Sequence, residues 1–322
     1  MKRRTLVAGI AVAIGLGAGA TSAQMAPPGP VAIPPERLAA AKQVAGLDLS
    51  AEIDAVCTGA WQAQGHRDGS KIPTTNNSMT AAEPRRIFDN FYWVGFKQIG
   101  AWALKTSDGI VLFDTLTSED ATKNVLVPQM IKLGLDPSQI KYIIISHGHF
   151  DHIGGAAYLK RTYGARIAMG APDWKYITES RPFDPPQQAQ FERPALDIAL
   201  KDQDAITVGD AKIVTFLTPG HTPGSIAAVI PVKKDGKTLK LVLVGGGLPM
   251  QTGLNLGWFR ENLKRAAGPE GVADIINSHP FGSDPNIRAA LATGEPATPW
   301  GTEKVDRYLR GAAECTADQL SG

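Results

Sequence analysis

Four residues able to ligate a metal stand close together in Ser146-His147-Gly148-His149-Phe150-Asp151-His152. Alternate residues of an extended segment point the same way, so His147 and His149 present two imidazoles on one side, while Asp151 and His152 follow where the chain turns. One loop can therefore face two ions. Zinc takes imidazole nitrogen and carboxylate oxygen, and in catalytic sites it commonly keeps three protein ligands and leaves one position open to water. His221 in Pro219-Gly220-His221-Thr222-Pro223-Gly224 and His279 in Ser278-His279-Pro280 each follow a strand-like run, Lys212 to Leu217 and Asp274 to Ile276. Strand ends are where layered α/β proteins assemble ligand sites. Five histidines and one aspartate thus form a candidate set of six ligands, whose division between ions the spacing alone does not give. The sixth histidine, His66, lies in a polar stretch and is read as a solvated surface residue.

The elements that must position these residues follow from local pattern. The short β-branched run Tyr142 to Ile145 ahead of the motif reads as a buried strand. Phe91 to Val94, Ala101 to Thr106 and Ile110 to Phe113 read as consecutive strands before it. Ser118 opens an amphipathic helix to about Leu133, with Val125, Leu126, Met130 and Leu133 on one face. Gly154-Gly155 lets the backbone turn close to the site into a helix over Ala156 to Tyr163, and Arg166 to Met169 forms the next strand. Pro172 to Glu179 is expected to be helical, with a proline-rich loop from Arg181 to Pro194. Trp174, Tyr176, Phe183 and Phe191 around it are read first as packing against the domain and second as apolar substrate contacts. Strands follow over Ile198 to Leu200, Ala205 to Val208, Lys212 to Leu217, Ile226 to Pro231 and Leu239 to Val244, with a hairpin turn at Lys233-Lys234-Asp235-Gly236. Helices are expected over Glu36 to Val44, Trp258 to Ala267, Asp284 to Thr293 and Thr302 to Cys315. Little periodicity is read between Val44 and Pro84. Asp114 ends its strand either as a residue holding a ligand from behind or as a turn or helix cap.

Lys2-Arg3-Arg4, the apolar run Leu6 to Ala20 and Thr21-Ser22-Ala23 read as a signal peptide over residues 1–23. Arg3-Arg4 also permits twin-arginine export. We expect a periplasmic or secreted protein with no stable membrane insertion after processing, an extension over residues 24–86 and a hydrolase domain over 87–322. Export places Cys57 and Cys315 in an oxidising compartment, where we expect them to bridge the extension to the last helix. A net charge of +2 over 322 residues, with no basic cluster or nucleic-acid motif, excludes nucleic acid as a partner. Nothing in the composition indicates an oligomeric state. No Gly-x-Ser-x-Gly elbow for a serine nucleophile is present.

The His-x-His-x-Asp-His motif, with the later histidines, resembles the metallo-β-lactamase superfamily, and within it subclass 3 of the class B β-lactamases. The resemblance covers roughly residues 87–315 and implies an α/β fold, the four-layer αββα sandwich. It assigns His147, His149 and His221 to a first Zn2+ and Asp151, His152 and His279 to a second, with Asp151 also orienting a metal-generated hydroxide. The implied activity is an exported dizinc hydrolase opening a β-lactam amide, an antibiotic-resistance function. The rivals are a lactone, other ester or sulfate-ester hydrolase on the same site, and an inactive periplasmic metal-binding protein. One departure narrows this choice. Thioesterase and phosphodiesterase branches carry a metal-bridging aspartate after the strand that ends at Val244, where this chain has Gly245-Gly246-Gly247-Leu248-Pro249. Subclass 3 usually has a serine-containing segment there, and this chain lacks that too.

Overall fold

Strands β1 (Arg85–Phe88), β2 (Phe91–Gly95), β3 (Gly100–Thr106), β4 (Gly109–Phe113), β5 (Ile140–Ile145), β6 (Arg166–Gly170) and β7 (Ile198–Leu200) lie side by side in chain order as one seven-stranded sheet. The first four form an antiparallel meander and β4 to β7 run parallel. A second sheet has five strands in the order β12 (Asp274–Ile276), β11 (Lys237–Val244), β10 (Ile226–Lys234), β9 (Ala211–Leu217), β8 (Ala205–Val208). The structure is a computed structural model that describes residues 33–58, 79–179, 186–195, 197–248 and 255–315. The expected signal peptide, His66, Phe183 and Pro249 lie outside the described residues.

Parallel neighbours need crossovers. These are α3, which runs through Glu119–Ala121, Thr122–Leu126 and Val127–Lys132, then α4 (Phe150–Ile153) with α5 (Ala156–Tyr163), and α6 (Ala171–Tyr176). They cover the outer face of the first sheet. The outer face of the second sheet is covered by α1 (Pro35–Ala45), α2 (Ser50–Thr58), α7 (Leu256–Ala267) and α9 (Thr302–Glu314). Between them α8 (Pro285–Thr293) places Ile287 and Ala290 against the inter-sheet core. Two sheets flanked by helices are the sandwich the resemblance implied.

The central strands are apolar at nearly every position because each of their faces meets a different core. Ile143 and Ile145 of β5 pack under the helices while Ile144 faces the second sheet; Leu112 and Phe113 of β4 divide in the same way. Phe91, Trp93 and Trp102 fill the space between the sheets, Phe91 and Trp102 stacked with ring centroids 4.9 Å apart. Burying each such ring is worth about 2 to 3 kcal/mol.

Several boundaries differ from the sequence reading. The stretch after Val44 contains α2, a nine-residue helix that buries Ile53, Val56 and Cys57; so short a helix carries a weak periodic signal. The helix read as ending at Glu179 stops at Tyr176. The sheet begins with β1 at Arg85, a four-residue strand ahead of Phe91 to Val94, the first strand read from the sequence. The α3 helix widens into a π turn over Thr122–Leu126, where Val127 donates to Thr122. Pro128 comes next, and it has no N–H with which to continue an ordinary α-helical ladder. The hairpin turn narrows to Asp235-Gly236, both with positive φ (50° and 74°), the two-residue form that matches strand twist. Cys57 and Cys315 are joined by a disulfide with Cα atoms 5.6 Å apart, tying the end of α2 to the end of α9. Among the described residues, no helix is long and apolar enough to cross a membrane.

Candidate metal centre

The motif loop leaves β5 where the two sheets are stitched together: Ile226 at the start of β10 donates to the Ser146 carbonyl at 2.9 Å, and Gly100 at the start of β3 donates to the Ser278 carbonyl at 2.9 Å. His149 precedes the single turn of α4, which carries Asp151 and His152. The following glycines are required by space. A Cβ on Gly154 would stand 2.2 Å from the Thr117 carbonyl carbon, and one on Gly155 would stand 1.8 Å from Thr122 Oγ1. His221 arrives from the loop after β9 and His279 from the loop after β12.

All six candidate ligands meet here. One donor atom each from His147, His149 and His221 lie within 4.8 Å of one another, and the same holds for Asp151, His152 and His279. The two groups adjoin, with the His147 and His152 ring centroids 3.9 Å apart. His147 Nε2 and His152 Nε2 are buried without any hydrogen-bond partner, an arrangement that is costly unless something else occupies their lone pairs.

The far side of each ring explains why those atoms carry lone pairs. The His152 Nδ1–H donates to Asp114 Oδ2 at 2.8 Å, and the His279 Nδ1–H donates to the Gln98 carbonyl at 3.0 Å. The Ser146 hydroxyl donates to Asp114 Oδ2 at 2.8 Å, so its oxygen is left to accept from His147 Nδ1, 3.1 Å away. For His147 and His152 the Nδ1 contacts leave Nε2 as the atom turned inward, where a metal would use it, while His279 Nε2 stands 3.4 Å from Asp151 Oδ2. The donor set and its orphaned nitrogens could hold metal.

Charge is arranged to the same end. Burial and the neighbouring His152, His221 and His149 hold the His147 pKa well below its ordinary value. Desolvation of its ring by the neighbouring side chains, although the residue as a whole is exposed, and the imidazoles of His149 and His152 bring His221 down to about 3. Burial opposes ionisation of Asp151, but the charges of His152 and His279 and a hydrogen bond from His279 outweigh it and hold its carboxyl far below the usual range. Burial likewise opposes the charged form of His152, yet Asp151 and Asp114 raise its pKa.

Asp114 resolves one open alternative. Fully buried with φ of 63°, it accepts from the Ser146 amide (2.7 Å), the Ser146 hydroxyl, the Ser278 hydroxyl and His152, so it holds ligand rings from behind rather than capping a helix. The contacts of Ser146 and Ser278 with Asp114 and of the Gln98 carbonyl with His279 carried no readable signal, because the partners lie 32, 164 and 181 positions apart. Asn277 donates to the Val244 carbonyl and accepts from the His279 amide, fixing the turn into His279. At Gly246 (φ 76°) an added Cβ would stand 2.3 Å from His221 Cβ. A side chain of any kind is therefore crowded out beside His221 at this glycine. Tyr176 and Phe191 are buried in the first core, and Trp174 packs against it with its Nε1–H on the Ile198 carbonyl. These aromatics are packing residues, although Tyr176 also sits edge-on to His149 at 5.8 Å.

The base of the His279 loop is closed by two carboxyls. Asp274 and Asp284 share a hydrogen bond, and burial followed by the Asp284 charge pushes Asp274 up to about 10. The native state therefore retains a proton at neutral pH that the unfolded chain has released. A raised acid stabilises fully below the unfolded pKa and loses that contribution as pH climbs to the folded one. Asp274→Asn supplies the same donor permanently. It is expected to match the parent below about pH 4 and to be more stable by ~2 kcal/mol or more at pH 8, a widening gap that denaturant melts at both pH values would measure.

Comparison with known proteins agrees with the fold and the motif. Residues 94–235 match the Metallo-beta-lactamase superfamily. The crystal structure of a subclass B3 metallo-beta-lactamase of Bradyrhizobium japonicum superposes with a TM-score of 0.60 at 25% identity, over 76% of this chain and 96% of that one. A hydroxyacylglutathione hydrolase of Pseudomonas syringae pv. syringae is 35% identical over 180 residues, 53% of this chain and 59% of its own length. An N-acyl homoserine lactonase of Azorhizobium caulinodans is 29% identical over 127 residues, 35% and 44% of the two chains. The matched stretch thus spans only about half the length of these curated relatives.

Proposed function

This chain carries a metallo-β-lactamase superfamily domain, and we propose that it is an exported dizinc hydrolase that opens the amide bond of a β-lactam. The observation that carries this reading is the pair of adjoining three-ligand groups with orphaned, inward-facing imidazole nitrogens. His147, His149 and His221 would hold one zinc, and Asp151, His152 and His279 the other. Bound there, two zinc ions supply hydroxide near neutral pH and a Lewis acid for the substrate carbonyl. The chain itself keeps Asp151 ionised, so its carboxylate can accept a hydrogen bond from the attacking O–H and orient it toward the carbonyl. Asp114 and the Gln98 carbonyl hold His152 and His279 in fixed orientations while a substrate enters.

The β-lactam choice draws support from the subclass B3 neighbour and from Gly246, which leaves no carboxylate to bridge two metals as in thioesterase branches. The second reading, a lactone or other ester hydrolase, draws support from the lactonase similarity. Export to the periplasm or beyond is favoured by residues 1–23 and by the Cys57–Cys315 bridge.

Zinc-loaded protein is expected to hydrolyse nitrocefin, to lose that activity to a chelator and to regain it with zinc. Faster turnover of an N-acyl homoserine lactone than of nitrocefin would transfer the assignment to the second reading. Two tightly bound zincs without turnover of a broad ester and amide panel would leave a metal-binding protein.

A further inference from the structure

Asp173 stands on α6, outside every motif that marks the metal centre, and is fully buried. Its carboxylate reaches two separate ligand loops. Oδ2 accepts from the Gly148 amide at 2.7 Å, between His147 and His149, and from Thr222 Oγ1 at 2.6 Å, beside His221. Oδ1 accepts from the Gly224 amide at 2.7 Å. Both loops press against it: a Cβ on Gly224 would stand 2.4 Å from the Asp173 amide nitrogen, and one on Gly148 would stand 3.3 Å from Asp173 Cγ. Gln188 grips the first loop from the same side, accepting from the Phe150 amide and donating to the Gly148 carbonyl, each at 2.8 Å.

We infer that Asp173 is a positioning residue that fixes the spacing between the His147–His149 loop and the His221 loop, and so keeps the three-histidine group in register for its metal ion. The metal half of this inference rests on the dizinc reading; the mechanical half does not. His221 is exposed on a loop rich in glycine and proline, whose internal hydrogen bonds, such as Thr222 amide to Ser225 Oγ and Gly220 amide to the Thr222 carbonyl, shape the turn itself but do not reach Gly148. A carboxylate that accepts from backbone and hydroxyl donors of both loops makes a strong, directional tie. The second group is held differently, through Asp114 behind His152 and the Gln98 carbonyl behind His279. Loss of Asp173 should therefore act on one metal position and spare the other.

Asp173→Asn keeps the side chain's shape but turns one acceptor into a donor that faces either both Gly148 N–H and Thr222 O–H or, with the amide flipped, Gly224 N–H. In metal-free protein, hydrogen–deuterium exchange should rise about tenfold in both segments 147–149 and 220–225 and stay unchanged in 151–153 and 274–284. In zinc competition against a chelating dye, wild type should take up two equivalents. The variant should hold one of them at least about tenfold more weakly and the other as before. Thr222→Val should show the same pattern at smaller size, with Thr222→Ser restoring wild-type behaviour, which covers the case in which Asp173 variants fail to fold. Exchange rising in only one loop, exchange spreading through the whole domain, or both zinc equivalents weakening alike would overturn the inference. Wild type that takes up no zinc would sink the dizinc reading instead, and the exchange pattern would still decide whether Asp173 ties the loops.

Discussion

Replacing Asp151 by alanine is expected to lower kcat/KM by about 10³-fold or more, in the range seen when an aligned electrostatic contact at a reacting centre is removed. Asp151 is the one carboxylate in the six-residue set, and its Oδ2 lies 3.4 Å from His279 Nε2 and 3.7 Å from His152 Nε2. Without it the second group keeps two imidazoles and loses its only negative charge, so both metal retention and orientation of the attacking group suffer. His221→Ala should have a comparable effect through the first group, which would be reduced to His147 and His149. Neither change empties a core: His221 is exposed and Asp151 is partly so, and thermal midpoints should move by only a few degrees. Measuring kcat/KM, zinc content and melting together separates site loss from unfolding. Activity within tenfold of wild type for either variant would show that the six residues are not the working set.

The contrast between what the chain displays and what it conceals follows from the range of the interactions. The His147-to-His152 cluster is legible because four candidate ligands are fixed by one local segment, and His221 and His279 because each sits just past an apolar run that reads as a strand. Their supports are a different matter. Ser278 reaches Asp114 across 164 positions of sequence and Asp173 reaches Gly224 across 51, so neither partner leaves a periodic or short-range mark on the other. Asp114 could be singled out but not interpreted, since a strand-ending aspartate caps, turns or supports depending on what the distant chain brings to it. The sheets were readable for the reason the loops' anchors were not. Burial on both faces makes residues 110–113 of β4 and 143–145 of β5 continuous apolar runs, whereas α2 shows only a few buried side chains in nine residues.

Removing the Cys57–Cys315 bridge is expected to produce the largest loss of stability of any change far from the ligands. The two cysteines are separated by 258 positions, and in the chain-entropy account a loop of that length corresponds to on the order of 5 kcal/mol, less any native strain. The helices it joins also pack directly: Ile53 and Val56 of α2 share a core with Leu309 and Ala312 of α9. A double Cys→Ser variant should therefore still fold, with a lower guanidinium midpoint. Its m-value decides the mechanism. If the bridge works by confining the unfolded chain, its loss lets that chain expand and the m-value rises; an unchanged m-value with a lower midpoint would place the effect in the native helix contacts. Catalysis at low denaturant should be unaffected, because the bridge ties helices of the outer layer and not the loops that carry the ligands. The consequence for the cell is directional. A chain kept in a reducing compartment would lack this contribution and be more easily unfolded, so reductant should shift the midpoint of the wild type to that of the double variant and leave the variant itself unmoved.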